Sequence, residues 1–263
     1  MPVKIPFLNT KLIGLTRYCF THYLSGLIPY YIVNEYPKSG GTWLGQMLSD
    51  LLDVPFPRNS YPTLKPSIMH CHYLHKKNMK NVVVIWRDGR DLMVSWYYHC
   101  LFKNELGNHR LVDIVTNDLN FSDPEDIYEN LPGFIEYAFT QQKHPPFSWS
   151  DYVMQWYGQD GVVFIKYESL RINPVDELAR IVEQLTGDNI DRDRITDVVD
   201  KYSFEKLSGR KPGTENKTSF LRKGVVGDWV NIFSYEAKQQ FMRHAQSELE
   251  LLEYENTTDW AEQ

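Results

Sequence analysis

Apolar positions along the chain fall into short dense runs separated by longer stretches of helical repeat. Tyr30–Glu35 (YYIVNE), residues 68–72, 81–86 (NVVVIW) and 161–167 (GVVFIKY) are β-branched and aromatic and too short for helices, so they read as strands. NVVVIW is apolar at nearly every position, the pattern of a parallel-sheet strand covered on both faces, and it belongs in the sheet centre. Residues 68–72 alternate instead, which projects His70 and His72 to one side and Cys71 to the other. Helical spacing appears at 44–52, at 123–142 with a break expected at Pro132-Gly133, at Pro174–Thr186, and at 191–202. It returns at 234–253, where Phe241, Ala245, Leu249 and Leu252 share the inward face. Trp149, Tyr152 and Trp156 also lie at helical spacing and read as core, the alternative being a face for a sugar or aromatic ring. Strands alternating with helices predict an α/β fold, a central parallel sheet flanked by helices on both faces, with ligands at the strands' carboxyl ends. Near the start, residues 10–24 place Leu12, Leu15, Cys19 and Tyr23 on one helical face. Such a helix either packs on the domain or lies in a membrane interface.

The 263 residues carry no Ser/Gly-rich or Pro-rich linker, so residues 1–263 read as one domain. A formal net charge of −6 disfavours general attraction to nucleic acid or anionic membrane, and any polyanionic ligand must meet a local basic cluster. Cys19, Cys71 and Cys100 are too few and too scattered for a disulfide framework and fit a reducing, cytoplasmic compartment. No apolar run approaches the ~20 residues that span a bilayer, and residues 1–9 lack the charged-then-apolar order of a signal peptide.

The basic cluster starts at residues 36–43, Tyr36-Pro37-Lys38-Ser39-Gly40-Gly41-Thr42-Trp43. A strand precedes this loop and a helix follows it. It therefore gathers unpaired N–H groups at the positive end of a helix dipole, a ready site for phosphate or sulfate. Lys38 adds a point charge; Ser39 and Thr42 add hydroxyl donors. The nucleotide-kinase loop ends in Gly-Lys-Ser/Thr, whereas here the lysine precedes the glycines. A second strand, turn and helix start is Arg87-Asp88-Gly89-Arg90-Asp91, with Ser95 about two turns on, where Arg87 and Ser95 can face one anion. An arginine fork holds phosphate bidentately, at ~1.5–3 kcal/mol per charge-assisted bond. Arg90 and Asp91 read as a surface pair capping the helix. Residues 208–220, rich in Gly, Lys, Arg, Thr and Asn, form a mobile loop leading to Leu221-Arg222-Lys223-Gly224-Val225-Val226-Gly227-Asp228-Trp229. Histidines 70, 72 and 75 raise a metal site, but no Asp, Glu or Cys lies at convincing ligand spacing in the sequence, so no metal is expected.

Together these stretches resemble the soluble, cytosolic-type sulfotransferases that use PAPS (3′-phosphoadenosine 5′-phosphosulfate). Pro-Lys-Ser-Gly-Gly-Thr-Trp resembles the family's 5′-phosphosulfate loop, which implies cofactor contacts from Lys38, Ser39, Gly40, Gly41, Thr42 and Trp43. Arg87 with Ser95 resembles the 3′-phosphate motif. The stretch from Arg222 to Trp229 is similar to the Arg-Lys-Gly-x-x-Gly-Asp-Trp signature, and implies that Arg222, Lys223 and Gly224 complete a pincer on the 3′-phosphate. Tyr167-Glu168 resembles the family's Tyr-Glu, which implies that Tyr167 approaches the adenine. Ser203-Phe204-Glu205-Lys206-Leu207 resembles the adenine-binding segment, with Phe204 and Trp43 clamping the purine at about 1–3 kcal/mol per contact. The family's Lys-Thr-Val dimer motif is absent, and the oligomeric state stays open.

The resemblance implies direct in-line transfer of the sulfuryl group of PAPS to an acceptor hydroxyl, less readily an amine, with PAP as product. His72 matches the histidine of the family's Lys-x-His element, the general base. A histidine with its ordinary pKa of ~6.5 is largely neutral at cellular pH and able to take a proton, a contribution of about 10²- to 10⁴-fold. Lys38 would stabilise charge on the leaving phosphate. His70 stands where many members have lysine, which makes a positive charge there conditional on pH. The acceptor is a small molecule or glycan whose identity the sequence leaves open. Two other readings remain: a PAP- or PAPS-binding protein without catalysis, and an ATP-dependent phosphotransferase.

Overall fold

The structure is a computed structural model that describes residues 7–262, so most of the 1–9 segment read above lies outside the described residues. Four strands, β1 (Tyr30–Glu35), β2 (Ser67–Cys71), β3 (Val82–Trp86) and β4 (Val162–Lys166), form one parallel sheet in the order β2-β1-β3-β4. The expected α/β architecture, a central parallel sheet flanked by helices, is thus what the chain adopts. NVVVIW supplies an interior strand as its composition demands, with every residue of β3 buried. β3 starts one residue later than its apolar run because Asn81 takes a left-handed φ of 52°. The chain also forms α1 (Phe7–Cys19), α2 (Gly41–Leu51), α3 (Gly89–Leu101), α4 (His109–Leu119), α5 (Ile127–Thr140) and α6 (Trp149–Trp156). It continues through α7 (Tyr167–Ile172), α8 (Pro174–Thr186), α9 (Arg192–Lys201), α10 (Phe204–Ser208) and α11 (Tyr235–Leu251).

Packing divides the chain into two compact units. The first comprises, of the described residues, 7–35, 39–86 and 158–202 and contains the whole sheet. Its core joins Val33, Ile68, Val83, Ile85 and Ile165 of the strands to Leu44, Met47 and Leu48 of α2, Leu178, Ile181 and Val182 of α8, and Ile195 of α9. At ~25 cal/mol per Å², each such aliphatic side chain contributes about 1.5–3 kcal/mol when taken out of water. The strand order reverses between β1 and β3, whose ends are in register with Glu35 opposite Ile85. In open α/β sheets that reversal marks where ligands bind.

α1 in this unit is turned the other way from a helix packed through its leucines. Ile13 and Arg17 are buried, while Leu12, Leu15 and Tyr23 are exposed. Arg17 goes inward because its guanidinium donates to the carbonyls of Pro57 at 2.9 Å, Ser60 at 3.3 Å and His70 at 2.8 Å. Three acceptors offset the desolvation of one charge.

The second unit comprises, of the described residues, 36–38, 87–157 and 203–262. Trp149, Tyr152 and Trp156 are buried in it, as expected, and so are Phe241, Ala245, Leu249 and Leu252. The break expected at Pro132-Gly133 does not occur, and α5 runs through both residues. Leu131, Phe134, Ile135, Ala138 and Phe139 line its buried side, and their burial outweighs the one backbone bond that proline removes. Gly89 opens α3 as a bare position: a Cβ there would lie 2.6 Å from the Phe241 ring and 2.9 Å from that of Trp149.

Candidate functional site

In the first unit, the end of β1 and the start of α2 are tied together by a carboxylate. Glu35 is 4% exposed and accepts from the Gly41 N–H at 2.6 Å through Oε2 and from His70 Nε2 at 2.8 Å through Oε1. One of the amides expected to be open for an anion is therefore already spent on Glu35, a charge that the positive end of α2 favours. Burial raises the pKa of Glu35, but His70, His72 and the Gly41 amide outweigh it and hold the group at about 2. Glu35 is thus a carboxylate at neutral pH.

His70 and His72 do share a side, with ring centroids 4.8 Å apart. His72 Nδ1 lies 3.0 Å from the main-chain oxygen of Glu35. A carbonyl can only accept, so Nδ1 carries the proton and Nε2 keeps a lone pair. Burial, then the charge at His70, push His72 down to about 4, and the attraction of Glu35 only partly offsets them. His72 is neutral at physiological pH. With Glu35, the two histidines form a group whose potential metal-ligating atoms lie within 4.8 Å of one another. The acid that sequence spacing failed to supply comes from β1, although both of its oxygens already hold hydrogen bonds.

Two glycines let this cluster close on the loop. Gly40 sits at φ 102°, and a Cβ there would come within 2.7 Å of the Tyr167 ring. A Cβ on Gly41 would lie 2.8 Å from the Glu35 carboxyl carbon and 2.9 Å from His70 Nε2. The hydroxyls of Ser39 and Thr42 are buried with no hydrogen-bond partner among the described residues. Each such orphan costs on the order of 1–3 kcal/mol, which a ligand anion at the head of α2 would recover. Trp43 is held by its Nε1–H, which donates to the Tyr202 carbonyl at 2.8 Å, and packs edge-on to Tyr167 at 6.1 Å. β4 runs directly into α7, so Tyr167 stands at the strand's end.

In the second unit, Arg87 Nη1 donates to the Lys38 carbonyl at 2.9 Å, and Lys38 itself has a φ of 76°, left-handed for a residue with a side chain. Lys38 Nζ donates to the Phe220 carbonyl at 3.1 Å and lies 3.7 Å over the Phe220 ring. The Phe220 N–H in turn donates to Glu105. Gly224, at φ 67°, lies so close to Phe204 that any Cβ would strike the ring. Ser95 is buried in α3, and the Ser203 hydroxyl caps α10 by accepting from the Lys206 N–H at 3.4 Å. Two acids arrange the basic residues. Asp228 takes Arg222 at 2.6 Å and Lys223 at 2.5 Å, and Arg222 also pairs with Glu215. Asp91 accepts from the Gly227 N–H at 2.7 Å and the Trp229 N–H at 2.9 Å and lies 3.8 Å from Arg87, so it pins the turn that carries the Gly-Asp-Trp triplet.

Arg90 and Asp91 are not the surface pair expected; both are buried. Arg90 pairs with Asp88 at 2.7 Å and Glu255 at 2.5 Å, and lies against the rings of Trp229 at 3.8 Å and Trp260 at 4.7 Å. Two indole faces and two carboxylates make burial of the guanidinium tolerable. Among the expected residues, the first unit thus brings Gly40 and Trp43 to Tyr167, and Gly41 to His70. The second brings Lys38 to Arg87, and Gly224 to Phe204. Glu35, Asp91, Asp228 and Glu215 escaped sequence reasoning; only Asp91 and Asp228 carried any signal, as members of the two arginine motifs.

Residues 54–253 match the family model of the sulfotransferase domain. Curated relatives include mouse (Mus musculus) sulfotransferase 1B1, 26% identical with 80% of this chain and 79% of the relative covered. Rat (Rattus norvegicus) sulfotransferase 1E1 is 27% identical, with 82% of this chain and 81% of the relative covered. Among solved structures, mouse sulfotransferase SULT7A1 complexed with PAP aligns at a TM-score of 0.59 and 19% identity over 86% of this chain and 89% of its own. Retinol dehydratase in complex with androsterone and PAP aligns at 0.58 and 16% over 89% and 85%. These two likenesses show the fold. The family match covers most of the chain: it belongs to the sulfotransferase domain family.

Proposed function

We propose that this sulfotransferase takes its sulfuryl group from PAPS and delivers it to the hydroxyl of a small-molecule or glycan acceptor, an amine being the poorer nucleophile. In this reading the two units act as one domain in the cytoplasm, where its three unbridged cysteines fit. The observation that carries the reading is the head of α2, where the buried Ser39 and Thr42 hydroxyls have no partner among the described residues. PAP is present in the SULT7A1 and retinol dehydratase structures, and the basic and aromatic side chains here suit the same molecule.

When bound, PAPS supplies the sulfuryl group and leaves as PAP. His72 serves as the base: with Nδ1–H held by the Glu35 carbonyl, Nε2 takes the acceptor's proton as its oxygen attacks. Lys38, Ser39, Gly40, Gly41, Thr42 and the first N–H groups of α2 hold the 5′ end and stabilise charge developing there. Arg87, Ser95, Arg222, Lys223 and Gly224 hold the 3′-phosphate, and Trp43, Tyr167, Ser203 and Phe204 hold the adenine. Lys38 must release the Phe220 carbonyl, and Arg222 must exchange Glu215, to do so. No metal is invoked, because these cations supply the positive charge.

The test is a thermal-shift titration with PAP beside ATP and adenosine 5′-phosphosulfate, followed by turnover of labelled PAPS over an acceptor panel. PAP at ~100 times its Kd stabilises by about 2.7 kcal/mol, roughly 5–10 °C for a chain of this size. His72→Ala should keep that shift and lose turnover. Preserved turnover in the variant would remove His72 as the base, and a larger shift with Mg·ATP than with PAP would favour the phosphotransferase reading.

A further inference from the structure

The net charge of −6 is unevenly placed along the chain. Before residue 88 ten lysines and arginines face only Glu35, Asp50 and Asp53, whereas the remainder carries 18 against 31 acids. Residues 1–34 and 54–87 contain no acid at all. Within the first unit the fold brings parts of these two stretches together on one surface.

That surface is built on α1 and the segment after it. Leu12 is 52% exposed, Leu15 61%, Tyr23 63% and Leu27 81%. At ~100° per residue Lys11, Leu12 and Leu15 share the outer side of α1. Segment 76–80 lies against this helical region. Lys76 Nζ donates to the Tyr18 hydroxyl and sits 4.9 Å over that ring, and the Ser25 hydroxyl donates to the Asn78 carbonyl at 3.3 Å. A Cβ on Gly26 would be 4.0 Å from the Lys80 side chain. Lys11, Lys76, Lys77 and Lys80 are all exposed. The orientation is fixed from behind by buried Arg17 and its three carbonyl partners. Rotating α1 to hide its leucines would strip that charge of its partners.

We propose that this surface seats on an anionic lipid bilayer, with Leu12, Leu15, Tyr23 and Leu27 entering the interfacial layer and the lysines lying among the headgroup phosphates. An amphipathic helix with an apolar stripe beside lysines has the form that lies in the membrane plane. Three arguments choose this occupant. Nucleic acid would satisfy the lysines and leave the leucines in water. A second copy would bring two surfaces of the same sign together, which costs several kcal/mol. A bilayer with acidic headgroups answers both the charge and the apolar stripe. No described helix is long and apolar enough to cross a membrane, so the association is peripheral. It does not depend on the sulfuryl-transfer reading.

The test is co-sedimentation of the full chain with phosphatidylcholine vesicles containing about one third phosphatidylserine, against phosphatidylcholine alone. Binding should be at least tenfold stronger to the acidic vesicles and weaken as salt rises. Lys77→Gln with Lys80→Gln should reduce partitioning about 25-fold, at roughly fivefold per lysine. Leu12→Ser with Leu15→Ser should reduce it about tenfold with the midpoint of unfolding unchanged, since both positions are exposed. Equal or absent binding to the two vesicle types overturns the proposal. So does full binding by the leucine variant together with competition by tRNA, which would make this a nucleic-acid surface. A dimer in sedimentation velocity that the leucine variant dissolves, without vesicle binding, would assign the surface to a second copy.

Discussion

Replacing Glu35 by glutamine tests the cluster at the head of α2, because the side chain keeps its size and loses only its charge. An ordinary glutamate titrates at 4.5 and this one at about 2. At ~1.36 kcal/mol per pH unit, the carboxylate form is favoured in the folded protein by roughly 3 kcal/mol. Glutamine recovers part of this, since its oxygen still accepts from the Gly41 N–H, but its NH₂ group meets His70 Nε2, now at 2.8 Å from a carboxylate oxygen. A loss of about 2 kcal/mol at pH 7 is expected, roughly 4–8 °C in Tm. The sign of the pH dependence follows from the depressed pKa. Stability contributed by Glu35 is fully present above pH 4.5 and is lost as pH falls towards 2. By pH 3.5 on the order of 1 kcal/mol of it is gone, so the gap between the native protein and Glu35→Gln should narrow by that amount. Urea unfolding followed by tryptophan fluorescence at pH 7, 5.5 and 3.5 reads the gap directly. A variant as stable as the native protein at pH 7, or a gap that stays constant down to pH 3.5, would refute the argument that an ionised Glu35 holds β1, His70 and α2 together.

Gly224→Ala should weaken PAP binding at least tenfold by calorimetry, because a left-handed φ of 67° and the Phe204 ring leave no room for a Cβ; an unchanged Kd would remove Gly224 from the 3′-phosphate pincer. With His72 pushed down to about 4, kcat/KM should stay level from pH 7 to 5 and lose its acid limb near 4, instead of near the ordinary histidine value. An acid limb near ~6.5 would mean that the working base is a different group or that His72 is not shielded in solution.

Legibility in the sequence followed the range of the interaction responsible. The strands and α8 were readable because the period of apolar residues is a local signal, and α8 keeps the bounds its pattern predicted. α1 shows the limit. Its stripe of Leu12 and Leu15 was plain, but the side that faces the protein is chosen by Arg17, whose partners lie 40, 43 and 53 residues away. The same holds for the site. Lysines and arginines were found through motifs written by the ligand they suit, whereas the acids that hold them without ligand had no such motif. Glu35 reaches a histidine 35 residues away, and Asp91 pins amides 136 and 138 residues away. Asp228 is nearer, holding Arg222 and Lys223 on its own turn. These acids have a functional consequence. In the proposed 3′-phosphate pincer, the Arg222 guanidinium, already paired with Asp228 and Glu215, would give up part of that pairing when a phosphate arrives, so the affinity would be a difference between two sets of charge-assisted bonds. If the proposed pincer holds the product, that arrangement would favour its release after every turnover, since the acids would compete for the pincer as the product leaves.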